Sequence, residues 1–391
     1  MIYLKKSTTK KICIISDNSI AIRPHLMRMI SFLHKEDWVF EIICIGGDNN
    51  IVEPHNLYNN LENVNIKVVE KSKLDFLKLN VLLDLYNLYK IVVENTYTIG
   101  TMFIVTHPYT LLIAKLANLH SIGKLVYYSA ELWDTNRYLL QRSFEYLSSS
   151  IIDGWIVSNK ERANITKNMF SISSPIIVVP NTCYDYLPFI LAERDQTLIT
   201  SNSVTRFIYQ GTSDIIRRKL KELIAVFSEL DNSVELYLAI GGGNSDNVKK
   251  ELKRYLLKTN NPGNVYFLEF TQYPYHFLHT YAADVGVMFY DINISLNYKY
   301  CAPNKLFEYA MIGLPILSSH QRHLKSDIVK NNFGMCVNPD NSDEIKNAIL
   351  SLRDIEKRRD MAKNARKWYL NGQGFEFVGK KLDKWLEKIS R

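Results

Sequence analysis

The sequence predicts an α/β protein made of two Rossmann-like domains, each with a doubly wound parallel sheet facing the other across a cleft. Three observations carry this expectation. Short β-rich runs alternate with helix-length amphipathic segments from end to end, the pattern of parallel sheets. The chain has 391 residues, too many for one comfortable hydrophobic core. Periodicity weakens once, from Leu187 to Thr205, where Pro188, Asp195, Ser201, Asn202 and Ser203 interrupt it. The expected boundaries are therefore 1–190 and 205–371, with a C-terminal helix over 375–391 packing back on the first domain.

The elements follow in order. In the first domain, strands are expected at Ile12–Ser16, Phe40–Ile45, Ile66–Val69, Phe103–Thr106, Leu125–Tyr128, Gly154–Ser158 and Ile176–Val179. Helices are expected between them at Pro24–His34, Asp75–Val93, Leu111–Leu119 and Asn159–Met169. Pro24 suits the first position of its helix, where its missing N–H costs nothing. The alternation restarts at Arg206–Tyr209 and continues through Glu235–Ile240, Val265–Leu268, Val285–Phe289, Pro315–Leu317 and Met335–Val337. Helices fit Arg217–Leu230, Asp246–Lys258, Lys305–Ile312, Asp343–Leu352, Asp354–Tyr369 and Phe375–Ile389.

Composition narrows the function. With 47% hydrophobic and 23% charged residues, the chain reads as folded and soluble. Its apolar runs are strand-sized, far short of the roughly 18 residues of a membrane span. Lys5, Lys6, Lys10 and Lys11 precede only the short run Ile12–Ile15, so no signal peptide is expected. The five cysteines, Cys13, Cys44, Cys183, Cys301 and Cys336, are scattered, which fits a reducing cytoplasmic compartment and no metal site. The first 190 residues hold 19 basic and 17 acidic residues, against 29 and 23 in the remainder. That balance suits an anionic small ligand in the second half, and equally a generic soluble surface. No Lys/Arg stripe interleaves with aromatics, so nucleic acid is not an expected partner.

Ligands of doubly wound sheets bind beyond the C-terminal ends of strands, at helix N-termini. Three loops qualify. Gly211-Thr212-Ser213 leads to Arg217, Arg218 and Lys219. Glycine admits a ligand close to the backbone, and cations in a first helical turn oppose the dipole unless an anion compensates. The second, Gly241-Gly242-Gly243-Asn244, reads either as an anion nest or as a plain turn. The third runs from Tyr300 to Leu317. Asn304 caps its helix or shares the start with Pro303, Glu308 lies one turn in, and Gly313 ends it.

The stretch Ala302–Ser319, APNKLFEYAMIGLPILSS, resembles the signature of the retaining GT-B glycosyltransferases usually numbered family four (group 1 glycosyltransferases). FIYQGT with Arg218 and LKELIAVF resembles the opening of that family's donor domain. LYLAIGGG, VYFLEF and FLHTYAADVGVMFY resemble its next strands, and IIVVPNTC and LVYYSAELW resemble its domain boundary and a stretch of its N-terminal domain. The resemblance implies the GT-B fold and transfer of a hexose, with retention, from a UDP- or GDP-sugar. It implies no cofactor and no metal, and an acceptor-binding first domain.

Carried over by position, Glu308 would bind the ribose and Arg218 the donor phosphate, with Arg217 and Lys219 as register alternatives. Asn304 and Lys305 would hold phosphate or sugar. Glu269 and Phe270 end the strand near the nucleobase, and Gly211 and Gly242 belong to the donor-binding loops. His107, in Thr-His-Pro-Tyr, is the implied catalytic histidine. Two positions depart from the family. Tyr300 stands where a second glutamate is common, leaving backbone or phenol for sugar recognition. Ala130-Glu131 stands where a His-Glu pair is common, leaving Glu131 as the catalytic candidate there. These departures keep open a non-catalytic nucleotide-sugar-binding subunit, and the fold keeps open a sugar-nucleotide 2-epimerase. Relatives that build surface polysaccharide suggest a glycan or lipid-linked acceptor at the inner face of the cytoplasmic membrane. The amphipathic segment Pro24–Lys35 is the expected peripheral contact, its alternative being an ordinary packed helix.

Overall fold

The structure is a computed structural model that describes residues 5–6, 10–46, 63–72, 79–133, 138–193 and 204–391. It divides into two compact units, residues 1–181 with 376–391, and residues 182–375.

The first unit is built on a seven-stranded parallel sheet. Its strands are β1 (Lys11–Ser16), β2 (Val39–Ile45), β3 (Val64–Val69), β4 (Met102–Val105), β5 (Leu125–Ser129), β6 (Gly154–Val157) and β7 (Ile176–Val178). Their order is β3-β2-β1-β4-β5-β6-β7. The chain winds outward from β1 in one direction, then returns and winds in the other, so the switch point lies between β1 and β4. Strands such as β1 are apolar on both faces because helices cover both faces: Ile12, Cys13, Ile14 and Ile15 are fully buried.

Helix α1 (Pro24–His34) starts at its proline as expected. Of the two readings of this helix, membrane contact or ordinary packing, its burial supports the second. Met29, Ile30, Phe32 and Leu33 are buried in the unit, and so is Arg28. Its apolar face is already used in packing. Helix α2 (Leu79–Glu94) follows; positions 75–78 of the expected helix lie outside the described residues. Helices α3 (Pro108–Leu116), α4 (Leu139–Ser148) and α5 (Lys160–Phe170) complete the layer.

The last helix of the chain packs on this unit, with Leu382 and Leu386 fully buried. Asp383 accepts a 2.7 Å hydrogen bond from Trp38 Nε1, and Glu387 pairs with Lys10 at 2.5 Å.

The second unit begins earlier than expected. Leu187–Glu193, read as linker, forms helix α6, with Pro188 tolerated in its first turn. Arg366 of a later helix holds Asp185 through two bonds of 2.9 and 2.6 Å, which ties 182–190 to this unit rather than the first. Positions 194–203 of the expected linker lie outside the described residues.

Six parallel strands follow: β8 (Thr205–Thr212), β9 (Val234–Gly241), β10 (Val265–Leu268), β11 (Val285–Met288), β12 (Ile316–Ser319) and β13 (Gly334–Val337). Their order is β10-β9-β8-β11-β12-β13, so the switch point lies between β8 and β11. The helices here are α7 (Leu220–Phe227), α8 (Ser245–Leu256), α9 (His276–Tyr281), α10 (Leu296–Lys299), α11 (Asn304–Ile312), α12 (Arg322–Lys330), α13 (Ser342–Ser351) and α14 (Ile355–Leu370); α15 (Phe375–Ser390) is the last helix, which packs on the first unit. Helix α7 starts at Leu220, not at Arg217, because Lys219 before it takes a left-handed backbone (φ 53°, ψ 41°) that no α-helix continues through.

Candidate functional site

The switch point of the second unit gathers most of the residues singled out in its sequence. Strand β8 runs on through Gly211 and Thr212. The Nζ of Lys305 lies 2.6 Å from where a Cβ on residue 211 would stand, so only glycine lets this lysine reach the strand end. Helix α11 brings Lys305. Pro303 takes the cap position and Asn304 the first helical residue, with no side-chain cap. Gly313 closes the helix with φ 80°. Tyr309 pins α11 to the sheet: its ring covers Gly286, and its hydroxyl lies 3.3 Å from Val287 O and 3.4 Å from Ile208 O. Glu308, beside it, is buried.

The cations here are not equivalent. Arg217 pairs with Asp214 at 3.3 Å and donates to the Tyr298 hydroxyl at 3.2 Å. Lys219 is engaged by Asp340 at 2.6 Å and Asp291 at 3.0 Å. Among the described residues Arg218 has no acid partner. Its guanidinium lies over the Tyr290 ring at 4.2 Å and the Tyr298 ring at 5.8 Å. Its Nε and Nη1 are buried without a hydrogen-bond partner. Of the three register alternatives, Arg218 is the one with donors left to give.

Lys305 shares this environment. Its ammonium sits 5.1 Å from the Tyr209 ring and 5.8 Å from the Tyr290 ring. Burial first, and then the Arg218 charge, lower its pKa to about 7, with Glu308 opposing. Two cationic groups held together in a buried, aromatic-walled place have the chemistry to receive a multiply charged anion. An open cavity of about 700 Å³ borders the same turn, lined by Thr212, Ser213, Asp214, Arg217, Arg218 and Tyr298 among others.

The remaining candidates sit around this centre. Phe270 is 60% exposed and its ring lies against Gly241. Gly242 has φ 108° and lies near Ser213 Oγ. Tyr300 is half-buried after α10. The residues that sequence reasoning missed are Tyr209, Tyr290 and Tyr298. No motif marks them; position after β11, beside the switch point, is the signal that Tyr290 carried.

His107 and Glu131 belong to the first unit. His107 caps α3: its Nδ1 accepts from Tyr109 N at 3.3 Å, and its own N–H donates to Thr110 Oγ1 at 3.1 Å. Asp17 Oδ2 is 3.6 Å from Nδ1 and is itself held by Arg23 at 2.5 Å. Burial lowers the His107 pKa to about 4, so the ring is neutral at ordinary pH. With Nδ1 accepting, the proton sits on Nε2. Trp133 packs edge-on against the ring at 4.9 Å. Glu131 is exposed, and its carbonyl accepts from Ser129 Oγ at 3.3 Å. At Ala130, Arg162 donates to the backbone carbonyl.

Residues 214–368 match the family described as Glycosyl transferases group 1. The second half of the chain is similar to this family. Its solved neighbours share the GT-B fold of two Rossmann-like domains. Sucrose-phosphate synthase from Thermosynechococcus elongatus is 14% identical over 97% of this chain and 99% of its own, with a TM-score of 0.74. HepE from Anabaena, solved in complex with UDP-glucose, is 14% identical over 97% and 99%, with a TM-score of 0.70. A putative UDP-N-acetylglucosamine 2-epimerase from Listeria monocytogenes is 13% identical over 96% and 95%, with a TM-score of 0.64. At such identities the likeness is one of fold, which this chain shares with the epimerase as well. No curated protein matches the sequence.

Proposed function

We propose that this chain is a glycosyltransferase that moves a hexose from a nucleoside-diphosphate donor, such as a UDP- or GDP-sugar, to a hydroxyl acceptor with retention and without a metal ion. One observation carries the reading: Arg218, with two buried unpartnered guanidinium nitrogens, beside the buried Lys305 at a strand-end switch point. The demanding step is charge. As the bond from anomeric carbon to phosphate oxygen breaks, negative charge gathers on the departing diphosphate. Arg218 and Lys305 stabilise that charge, and the α11 N-terminus at Asn304 adds its dipole. Glu308 accepts the ribose hydroxyls. Phe270, with Gly211 and Gly242, shapes the donor pocket, and the Tyr300 phenol or its backbone meets the sugar. The acceptor hydroxyl attacks the face the diphosphate leaves, with no covalent enzyme intermediate. His107, through Nε2–H, and Glu131 are the catalytic candidates of the first unit.

The acceptor we infer is a glycan or lipid-linked sugar of surface polysaccharide synthesis, met at the inner face of the cytoplasmic membrane. Among the described residues no helix is long and apolar enough to cross a membrane, so the contact is peripheral. Helix α1 has no apolar face to spare for it. Exposed Leu139, Leu140 and Leu147 of α4 supply one instead.

The deciding experiment offers the purified chain a panel of nucleotide sugars and follows thermal stabilisation, then donor hydrolysis and transfer. Stabilisation with turnover supports the enzyme reading. Stabilisation without turnover over a broad acceptor panel would favour a binding subunit, and conversion of a UDP-sugar to its 2-epimer would favour an epimerase.

A further inference from the structure

The turn that presents Arg218 is held by an unusual residue. Lys219 is a non-glycine residue at φ 53° and ψ 41°, in the left-handed region that L side chains rarely adopt. A glycine would occupy this position without strain. The lysine side chain makes good use of being there. It is buried, and its Nζ lies 2.6 Å from Asp340, 3.0 Å from Asp291 and 3.8 Å from Glu222. Burial alone would lower the Lys219 pKa, but bonds to Asp340 and Asp291 hold it above the ordinary value.

These partners come from separate strand ends. Asp291 follows β11, and its backbone N–H donates to Arg217 O at 3.0 Å. Asp340 follows β13, where its own N–H is fixed by Asn338 Oδ1 at 3.1 Å. Lys219 thereby joins the loops after β8, β11 and β13. Tyr290, which stacks on Arg218, directly precedes Asp291. One ion-paired lysine therefore sets the distance between the arginine and the ring that supports it.

We propose that Lys219 is a positioning residue for the donor diphosphate, acting through Arg218 rather than touching the ligand. The proposal rests on the reading that Arg218 binds that diphosphate. The backbone conformation alone does not account for a lysine here; the ion pairs to Asp291 and Asp340 do.

The test is isothermal titration of UDP and of GDP into the full chain and its variants, with each melting temperature measured. Arg218→Ala examines the underlying reading. Lys219→Gly removes the ion pairs while relieving the left-handed strain, so folding is favoured. The expected result is that Arg218→Ala and Lys219→Gly each weaken the better nucleotide by about tenfold or more. Lys219→Gly in the Arg218→Ala background should then add less than about twofold, and Lys219→Arg should retain most of the affinity. Asp291→Asn with Asp340→Asn should reproduce the glycine variant. If Arg218→Ala weakens binding but Lys219→Gly does not, the positioning role fails while the donor site stands. Fully additive losses would mean that Lys219 acts independently of Arg218 and would also overturn it. If Arg218→Ala has no effect, or the wild-type chain binds neither nucleotide, the donor-site reading fails and the proposal with it.

Discussion

The guanidinium of Arg218 lies 4.2 Å from the centre of the Tyr290 ring, and its Nε and Nη1 have no hydrogen-bond partner among the described residues. A buried cation without an acid costs free energy, and a ring face recovers only part of it. The arrangement is reasonable for a protein that spends its working life with an anion there. Arg218→Ala should therefore raise the melting temperature or leave it unchanged, while nucleotide affinity falls. A clear loss of stability in the unliganded variant would contradict this account.

Glu308→Ala should weaken UDP or GDP binding by tens of times in a chain that still folds. A charge-assisted hydrogen bond contributes roughly 1.5–3 kcal/mol, and Glu308 is buried beside Lys305 on the same helix face. Unchanged affinity in the folded variant would remove Glu308 from the site.

Nucleotide binding should take up a proton above neutral pH. Lys305 has its pKa lowered to about 7 in the free protein, so above that pH it is largely neutral and must regain its proton to meet a diphosphate. Affinity should fall as pH rises through this range, by at most about tenfold per pH unit. In the free protein the folded pKa lies below the unfolded one, so the stability cost of Lys305 is full below about 7 and fades as pH climbs towards 10.5. Titration of UDP at mildly alkaline pH, in buffers of different ionisation enthalpy, should show uptake approaching one proton. Lys305→Met should abolish it; equal uptake in that variant would assign the proton elsewhere.

Transfer should proceed in chelator. Activity lost in EDTA and restored by manganese or magnesium would show that Arg218 and Lys305 do not carry the leaving-group charge alone.

His107 has two roles that one pair of variants separates. As the cap of α3 it receives the Tyr109 amide, and losing a cap costs about 0.5–2 kcal/mol. His107→Ala should lower both stability and transfer, the latter by about a hundredfold, as for a positioned proton donor. His107→Asn keeps a capping oxygen, so it should keep stability and still lose transfer. Nucleotide affinity should stay within a few-fold in both. An asparagine variant with full transfer activity would leave His107 as a structural cap.

What could be read from the sequence was whatever is local. β1 is a run of buried apolar residues, and α11 announces itself through Pro303, its apolar face and Gly313. Elements with weaker local signals were missed. Helix α12 is short and carries few apolar residues, among them the buried Leu324 and Ile328, and α6 hides behind Pro188. The order of strands in each sheet agrees with the expected double winding because right-handed crossovers leave few alternatives. The choice among Arg217, Arg218 and Lys219 was not legible, and the reason is physical. Their chemistry differs only through Asp214, Asp291, Asp340 and Tyr290, most of them about 70 or more positions away. The tyrosines that wall the site were invisible for the same reason.

The last helix belongs to the first unit, although residues 182–375 form the second. Leu382 and Leu386 are core residues of a domain whose other strands are all made before residue 180. During synthesis, then, the N-terminal domain waits with part of its interior uncovered while an entire second domain is translated. At roughly 5–20 residues per second this lasts on the order of 10–40 s. Premature termination before this helix leaves a first domain that lacks Leu382 and Leu386 in its core.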